Sequence, residues 1–287
     1  MGFNEIKQHG TQDFPIELYS LYPFSPKYEM VHHWHKEIEL IRVTKGNLFL
    51  TLGRKTYLLE SGKSAVVNSD TLHGAIPEKN CEYSCAVFDP LGFATPQQSV
   101  QSFVNEIKSG QISFCEVPED KRALEAINAV FGALESGASG RLPYVKMETV
   151  SAIYNFYCTF LRLGLVNRTN TDSVAQNKDS VKLKRTLEYI SQNYSRQINL
   201  TDMANVCGMS PKYFCEYFKS MTGHTPVEYL NVYRISKAAK LLLNTDEPVT
   251  QIALDCGYND LSYFIKQFGK HKGMSPGKFR KERTDTI

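Results

Sequence analysis

Apolar and polar residues alternate with a period of two over much of the first ninety residues, and with a period near 3.6 from about residue 96 onward. In the stretch 39–69, short apolar–polar runs are separated by glycines. Leu48, Leu50 and Leu52 fall on one face of a strand in this pattern. Several short strands punctuated by turns predict a small antiparallel barrel with an N-terminal arm, over residues 1–95.

Three later segments, 97–107, 120–134 and 144–165, have the spacing of amphipathic helices. The third is apolar over more than half of its circumference, so it should pack against another helix, in this chain or in a second copy. Residues 96–166 are therefore predicted to form a helical dimerisation and connector segment. Residues 167–180 are polar and without period, which predicts a linker.

The C-terminal third contains one pattern twice. Each copy predicts a short helix, a turn with glycine and a second helix, which is a helix-turn-helix unit. A helix over 226–244 would join the two units, and its length of about 28 Å is close to the roughly 34 Å between successive major-groove faces of duplex DNA. The repeated positions are Ala204, Cys207 and Gly208 with Ala253, Cys256 and Gly257, and Phe214, Phe218, Gly223, Pro226 and Tyr229 with Phe264, Phe268, Gly273, Pro276 and Phe279.

Composition and charge refine this picture. A chain of 287 residues should form two or three domains. Residues 181–287 hold 16 Lys and Arg against 10 Asp and Glu, a net charge of +6, whereas residues 1–180 carry −3. A basic C-terminal third suggests a polyanionic partner. Seven cysteines, the absence of a visible signal peptide and the lack of a membrane-spanning run predict a reduced, cytoplasmic protein with no membrane partner.

The stretch 234–280 resembles the signature of the AraC family of bacterial transcription regulators, and the resemblance extends from about 181 to 283. The family implies a DNA-binding domain, here 181–287, whose two helix-turn-helix units read one asymmetric half-site in double-stranded DNA. It implies regulation of a bacterial operon, contact with RNA polymerase if the protein is an activator, and no enzymatic activity.

Position by position, the resemblance and the predicted exposed faces give candidates for DNA contact. Lys219, Lys270 and Lys272 are expected at phosphates, and Arg234 on the joining helix has either an internal or a phosphate-binding role. The remaining candidates are Ser210 and Pro211 at the start of the first recognition helix, the base-facing Lys212, Cys215 and Glu216, and, in the second unit, the base-facing Leu261, Ser262, Ile265 and Lys266.

A second resemblance concerns the barrel. His33, His35, Glu39 and Gly46 have the spacing of the first cupin motif, and His73 occupies the histidine position of a second motif. Cupins with all four polar positions often bind a divalent metal. Asn68 and Asp70 depart from the second motif, at the positions where Pro and Gly shape the turn that carries the ligand.

Three interpretations of this cluster remain open. The preferred one is an effector pocket for a sugar or sugar derivative, lined by His33, His35, Glu39 and His73, with Trp34 stacking on the sugar; it assigns no metal and no cofactor. The second is a metal site, in a metal-responsive regulator or a metalloenzyme fused to a DNA-binding domain. The third is a set of hydrogen-bonded structural residues.

The whole chain is thus predicted to be an α+β multidomain protein. A cupin-like β-barrel senses a small molecule, a helical segment forms a homodimer, and an all-α domain with two helix-turn-helix units binds DNA. The arm before the barrel is rich in aromatic residues, and it could close over the effector or pack as an edge strand. Its aromatic residues are Phe14, Tyr19, Tyr22, Phe24 and Tyr28.

Overall fold

The computed structural model describes residues 9–23, 25, 28–138, 144–169 and 178–281. The N-terminal domain is built from eight strands, as the period-two pattern predicts. They are β1 (Ile16–Leu21), β2 (Met30–His33), β3 (Ile38–Lys45), β4 (Asn47–Leu52), β5 (Lys55–Glu60), β6 (Ser64–Val67), β7 (His73–Pro77) and β8 (Glu82–Phe88).

The strands form two four-stranded antiparallel sheets, in the orders β1-β8-β3-β6 and β2-β7-β4-β5. Leu48, Leu50 and Leu52 point into the core between the sheets, as predicted, because alternate residues of a strand share a face. Five of the first six residues of β3 are buried, since the outer face of its sheet is covered by helices.

These covering helices are α1 (Gln98–Lys108), α2 (Lys121–Ala138) and α3 (Val145–Arg162). The three-residue strands β9 (Ile112–Phe114) and β10 (Val166–Arg168) pair with each other beside them. The predicted linker, 167–180, therefore begins too early, because Asn167 and Arg168 belong to a strand. It also ends too late, because α4 begins at Lys178. The rest of the predicted linker, 170–177, lies outside the described residues, as do Phe24 of the arm and the last residues, 282–287.

The C-terminal domain is all-helical, as predicted. Its helices are α4 (Lys178–Asn193), α5 (Leu200–Cys207), α6 (Pro211–Thr222), α7 (Pro226–Asn244), α8 (Val249–Asp255), α9 (Leu261–Lys272) and α10 (Pro276–Lys281). Helices α5 and α6 form the first helix-turn-helix unit, α8 and α9 form the second, and α7 joins them. Each unit has its own buried cluster, around Phe214 and Phe218 in the first and around Phe264 and Phe268 in the second.

The turns of the two units use the predicted glycines but different caps. Gly208 and Gly257 both have positive φ (66° and 81°), which a residue with a side chain rarely adopts. Ser210 stands at the N-cap of α6, but its side chain makes no capping hydrogen bond. In the second unit, Asp260 caps α9 by accepting from the Tyr263 amide at 2.9 Å.

Arg234 of α7 ties the two units together. Its Nε donates to the Tyr194 carbonyl at 2.8 Å and a terminal nitrogen donates to the Arg196 carbonyl at 2.7 Å. Its guanidinium also lies 5.6 Å from the centre of the Tyr258 ring, in the second unit. A Cβ on Gly257 would lie 2.8 Å from the guanidinium, so this joint needs a glycine there. Of the two roles predicted for Arg234, internal hydrogen bonding or phosphate contact, the structure thus shows the internal one.

No helix among the described residues is long and apolar enough to span a membrane.

Candidate functional site

Four side chains of the barrel converge between the two sheets. Glu39 lies on β3, whereas His33 and His73 lie at the end of β2 and the start of β7 in the other sheet. His35 lies in the connection between β2 and β3. One candidate ligand atom from each of the four residues lies within 4.8 Å of all the others. The structure therefore brings together the four polar residues that the two motifs predict.

Each of the three imidazoles is held by a main-chain carbonyl two residues away in the chain. A carbonyl only accepts, so each Nδ1 carries the proton and each Nε2 is the nitrogen with the lone pair. The distances are 2.9 Å from His33 Nδ1 to the Val31 oxygen, 3.2 Å from His35 Nδ1 to the Glu37 oxygen, and 2.8 Å from His73 Nδ1 to the Thr71 oxygen.

Glu39 faces two of these Nε2 atoms. Its Oε2 lies 3.0 Å from His73 Nε2 and 3.3 Å from His35 Nε2. The three side chains are at most 2% exposed. Burial raises the pKa of Glu39, but its interaction with the imidazoles of His35 and His73 outweighs burial and holds this pKa well below its usual value. The carboxylate is therefore charged, in a place where water does not reach it.

A buried carboxylate facing two lone pairs needs a positive charge. Two arrangements supply it: an imidazolium that donates from Nε2 to Glu39, or a cation bound between the nitrogens and the carboxylate. Metal bonds of about 2.1 Å put neighbouring ligands roughly 3.0–3.4 Å apart, which brackets the two distances above. Metal-bound histidines also commonly donate the other ring N–H to a carbonyl or carboxylate. The four residues thus fit a divalent cation.

The departures from the second cupin motif do not disturb this geometry. Asp70 adopts φ 60°, the left-handed conformation that a glycine would supply in the turn before His73. Its amide donates to the His35 carbonyl at 2.7 Å. The side-chain amide of Asn68 pairs with both main-chain groups of Phe114, at 2.7 and 2.9 Å. The ligand-bearing turn is therefore held by other residues than Pro and Gly.

Trp34 is not part of this cluster. Its ring, 5% exposed, packs with Leu72 in the buried cluster of the first helix-turn-helix unit, and the Lys184 ammonium lies 5.1 Å from its centre. Successive residues of an extended chain point to opposite sides, so Trp34 faces away from its two histidine neighbours. The expectation that Trp34 stacks on a sugar beside the cluster is corrected by this placement.

Two histidines that sequence reasoning did not single out lie near the cluster. His9, from the arm, is 2% exposed, and its Nδ1 lies 2.8 Å from Glu37 Oε1. Its ring centre is 6.0 Å from that of His35. His32 lies on β2 beneath Gly74, and burial lowers its pKa to about 3. His9 is remote in sequence, so no motif could have indicated it.

The arm itself packs on the barrel. It contributes β1, an edge strand paired with β8. Phe14 meets Phe93 edge to face at 6.0 Å, and the Tyr28 hydroxyl donates to the Cys81 carbonyl at 2.9 Å. The predicted edge strand is thus present.

The recognition helices of both units present the predicted faces to solvent. Cys215 is half-buried; the other base-facing candidates are exposed, as are Ser210, Pro211, Lys219 and Lys270. The apolar Leu261 and Ile265 are 38% and 41% exposed. The exposed candidates are Lys212, Glu216, Leu261, Ser262, Ile265 and Lys266.

Lys272 is the exception. Its side chain is 7% exposed, and its ammonium donates to the Ser25 carbonyl of the barrel at 3.4 Å. Its predicted role as a phosphate contact is therefore wrong, because a duplex cannot reach it in this arrangement. Two candidates were missed: Tyr213 and Tyr263, 58% and 44% exposed, occupy the same position in the first turn of each recognition helix.

Comparisons with known proteins agree with this architecture. A model described as an AraC-like ligand binding domain matches residues 19–143, and a helix-turn-helix domain model matches residues 203–282. The chain belongs to the AraC family of transcription regulators. It is therefore a DNA-binding transcription regulator with a ligand-binding domain, as the sequence predicts.

Relatives of this AraC-family chain extend over almost its whole length. The uncharacterised HTH-type transcriptional regulator YdeC of Bacillus subtilis is 25% identical over 96% of this chain and 95% of its own. The melibiose operon regulatory protein of Escherichia coli is 23% identical over 93% of this chain and 91% of its own. Among solved structures, ToxT of Vibrio cholerae covers 96% of this chain and 99% of its own, at 14% identity and a TM-score of 0.47.

Proposed function

We propose that this regulator controls a bacterial operon by inserting α6 and α9 into two successive segments of the major groove. The exposed, basic faces of these helices support this assignment, and α7 joins the two units that carry them. Lysines at the helix ends would neutralise phosphates, while Leu261 and Ile265 could pack against thymine methyl groups. A DNA partner implies action in the cytoplasm and requires no catalytic group, so we propose no enzymatic activity.

A selection experiment tests the DNA-binding faces. The full chain is used to recover duplexes from a random library, and the recovered duplex is titrated at several salt concentrations. Lys266→Ala is expected to weaken binding at least several-fold and to lower the salt slope by about one. The control is Lys121→Ala, an exposed lysine of α2 in the N-terminal half. Equal affinity of Lys266→Ala and the wild type would refute the assignment of α9.

For the barrel, we propose that the effector site is a divalent-cation centre formed by His33, His35, Glu39 and His73. One observation carries this proposal: all three imidazoles have Nδ1 against a main-chain carbonyl, and one candidate ligand atom of each lies within 4.8 Å of the buried Glu39 carboxylate, which the Nε2 atoms of His35 and His73 contact directly. Nitrogen and oxygen ligands of this kind suit zinc, nickel, manganese or iron. A bound cation would link β3 of one sheet to β2 and β7 of the other.

Calorimetric titration of the chelator-treated full chain with zinc, nickel and manganese tests this centre, together with thermal unfolding in the presence and absence of each cation. We expect one cation per chain and a rise in the thermal midpoint, because a ligand that binds only the folded state stabilises it by about 2.7 kcal/mol at a hundred times its dissociation constant. His35→Ala should abolish both effects, while His271→Ala, outside the centre, should keep them. Binding that survives His35→Ala would refute the centre.

A carbohydrate is the second candidate for the effector. The support is the full-length similarity to the melibiose operon regulatory protein, whose name refers to a sugar operon. Thermal shifts with mono- and disaccharides, measured with and without chelator, separate the candidates. A shift caused by a sugar and insensitive to chelator, in a chain that binds no cation, would favour the carbohydrate alone.

We also propose that the regulator is a homodimer and, if it activates transcription, contacts RNA polymerase. The outer face of α2 and α3 supports a dimer, because Tyr144 and Met147 are 68% and 72% exposed at one end of it. Small residues on both helices, including Gly132 and Ser151, leave a groove between them. Light scattering of the full chain measures the oligomeric state directly.

A further inference from the structure

The barrel contacts the first helix-turn-helix unit through the strand that carries His33. The Tyr229 hydroxyl of α7 donates to the His32 carbonyl at 2.8 Å, in a buried position. Trp34 and Leu72 of the barrel pack in the core cluster of this unit, as described above. Lys184 of α4 forms an ion pair with Asp70 at 2.7 Å. Polar and apolar contacts together fix the barrel on this unit.

The barrel also contacts the second unit, at the C-terminal end of α9. Lys272 donates to the Ser25 carbonyl, and His271 Nδ1 lies 3.6 Å from Glu29 Oε2. Both lysine and histidine are largely buried there. The two helix-turn-helix units are therefore held by one body as well as by α7.

Glu29 is the residue at which these contacts meet. Its Oε1 lies 3.4 Å from His224 Nε2, in the turn between α6 and α7 of the first unit, while its Oε2 faces His271 of the second unit. The side chain is 20% exposed. Burial raises the pKa of Glu29, but hydrogen bonds from the two histidines lower it to about 2, so the carboxylate is ionised. One carboxylate thus bridges both units from a position in the barrel.

The contact does not cover the faces proposed to bind DNA. Lys212 and Glu216 of α6 and Ser262 and Lys266 of α9 are exposed with the barrel in place. The barrel in this position therefore does not prevent these faces from reaching DNA. A body that holds both recognition helices instead fixes their separation before binding, which lowers the ordering cost of engaging two groove segments at once.

We propose that the barrel is a clamp that sets the spacing of the two helix-turn-helix units, and that Glu29 is the positioning residue of this clamp. The proposal rests on the assignment of α6 and α9 as the DNA-binding helices. If the barrel is such a clamp, the N-terminal domain determines which spacing between the two groove segments the regulator prefers.

The test uses the full chain and the duplex recovered by selection. It also uses duplexes that carry one extra base pair between the two groove segments assigned to α6 and α9. The wild type should bind the altered duplexes at least tenfold more weakly, because the clamp holds one spacing. Glu29→Gln, which keeps the shape and removes the charge, should bind the selected duplex about fivefold more weakly and lose less than threefold upon insertion. Glu82→Gln, an exposed barrel residue paired with Lys45, is the matched control and should behave as wild type.

Spacing tolerance separates positioning from a general loss of stability, which would weaken all duplexes equally. Tyr229→Phe, which removes only the hydroxyl that binds the His32 carbonyl, should give the same tolerance and serves if Glu29→Gln does not fold. An insertion penalty in both variants equal to that of the wild type would overturn the clamp. Tighter binding by Glu29→Gln would overturn it as well, since the contact would then be inhibitory. A wild type without any insertion penalty, or Lys266→Ala with unchanged affinity, would instead refute the underlying use of two recognition helices.

Discussion

Replacing the buried Lys272 by methionine should stabilise the protein at neutral pH. Burial lowers the pKa of this ammonium from 10.5 to about 8, although the nearby Glu29 carboxylate acts in the opposite direction. The difference between these two pKa values corresponds to roughly 3 kcal/mol of penalty on the charged form in the folded state. Methionine has a similar length and no charge, so it removes this penalty. It also removes the hydrogen bond to the Ser25 carbonyl, worth about 1 kcal/mol.

The expected net gain in the free energy of unfolding is therefore about 1–2 kcal/mol at pH 7. The sign of its pH dependence follows from the direction of the shift. The folded-state pKa of a base lies below the unfolded value here, so the penalty is present in full below about pH 8 and disappears as the pH rises toward 10.5. The advantage of Lys272→Met should shrink over this range.

Urea denaturation of the wild type, Lys272→Met and Lys270→Met, at pH 7 and at pH 10, measures the change in the free energy of unfolding. Lys270→Met is the matched control, because Lys270 lies on the same helix and is exposed; its stability should match the wild type at both pH values. In DNA titrations, Lys270→Met should lower the salt slope by about one, while Lys272→Met should leave it unchanged. The reasoning fails if Lys272→Met is less stable than the wild type at pH 7 by a margin that does not depend on pH.

Three further changes probe other parts of the molecule. Arg234→Lys should cost about 2 kcal/mol in urea denaturation, because an ammonium cannot bridge the two carbonyls that the guanidinium joins; an unchanged midpoint would contradict this. His73→Ala should abolish stabilisation by zinc in thermal shifts, and a retained shift would place the cation elsewhere. Met147→Asp should convert the proposed dimer into a monomer in light scattering, since it puts a charge on the exposed face of α3; an unaltered mass would exclude this face.

Local signals in the sequence predicted most of the fold. The bounds of α7 match the prediction because Pro226 starts the helix and because the side chains of Thr225 and Glu228 cap each other's main-chain amides. The two three-residue strands β9 and β10 were missed, since segments so short carry no period. The four polar residues of the barrel were predicted together, because motif spacing fixes which residues meet.

Contacts between domains could not be predicted in the same way. Helix periodicity places Lys272 at the end of α9 but says nothing of the barrel that covers it. Trp34 was assigned to the cluster because it lies between two of its histidines, and the alternation of the chain places it on the opposite side, against the DNA-binding domain. The Lys272 error arises because burial at a domain interface depends on the partner surface, whereas the Trp34 error arises because the alternation of side chains along an extended segment was not applied to it.

The carbonyl oxygens that orient the three imidazoles have a consequence for how the centre can change. Main-chain oxygens are present whatever residue occupies the position, so a substitution at Val31, Glu37 or Thr71 leaves the acceptor in place. Point mutations at these three positions therefore leave the orientation of the rings unchanged, as long as the strands keep their register. Drift in the surrounding sequence can then change what lies beside the four side chains, while the set of nitrogen and oxygen donors changes only through a substitution of one of those four.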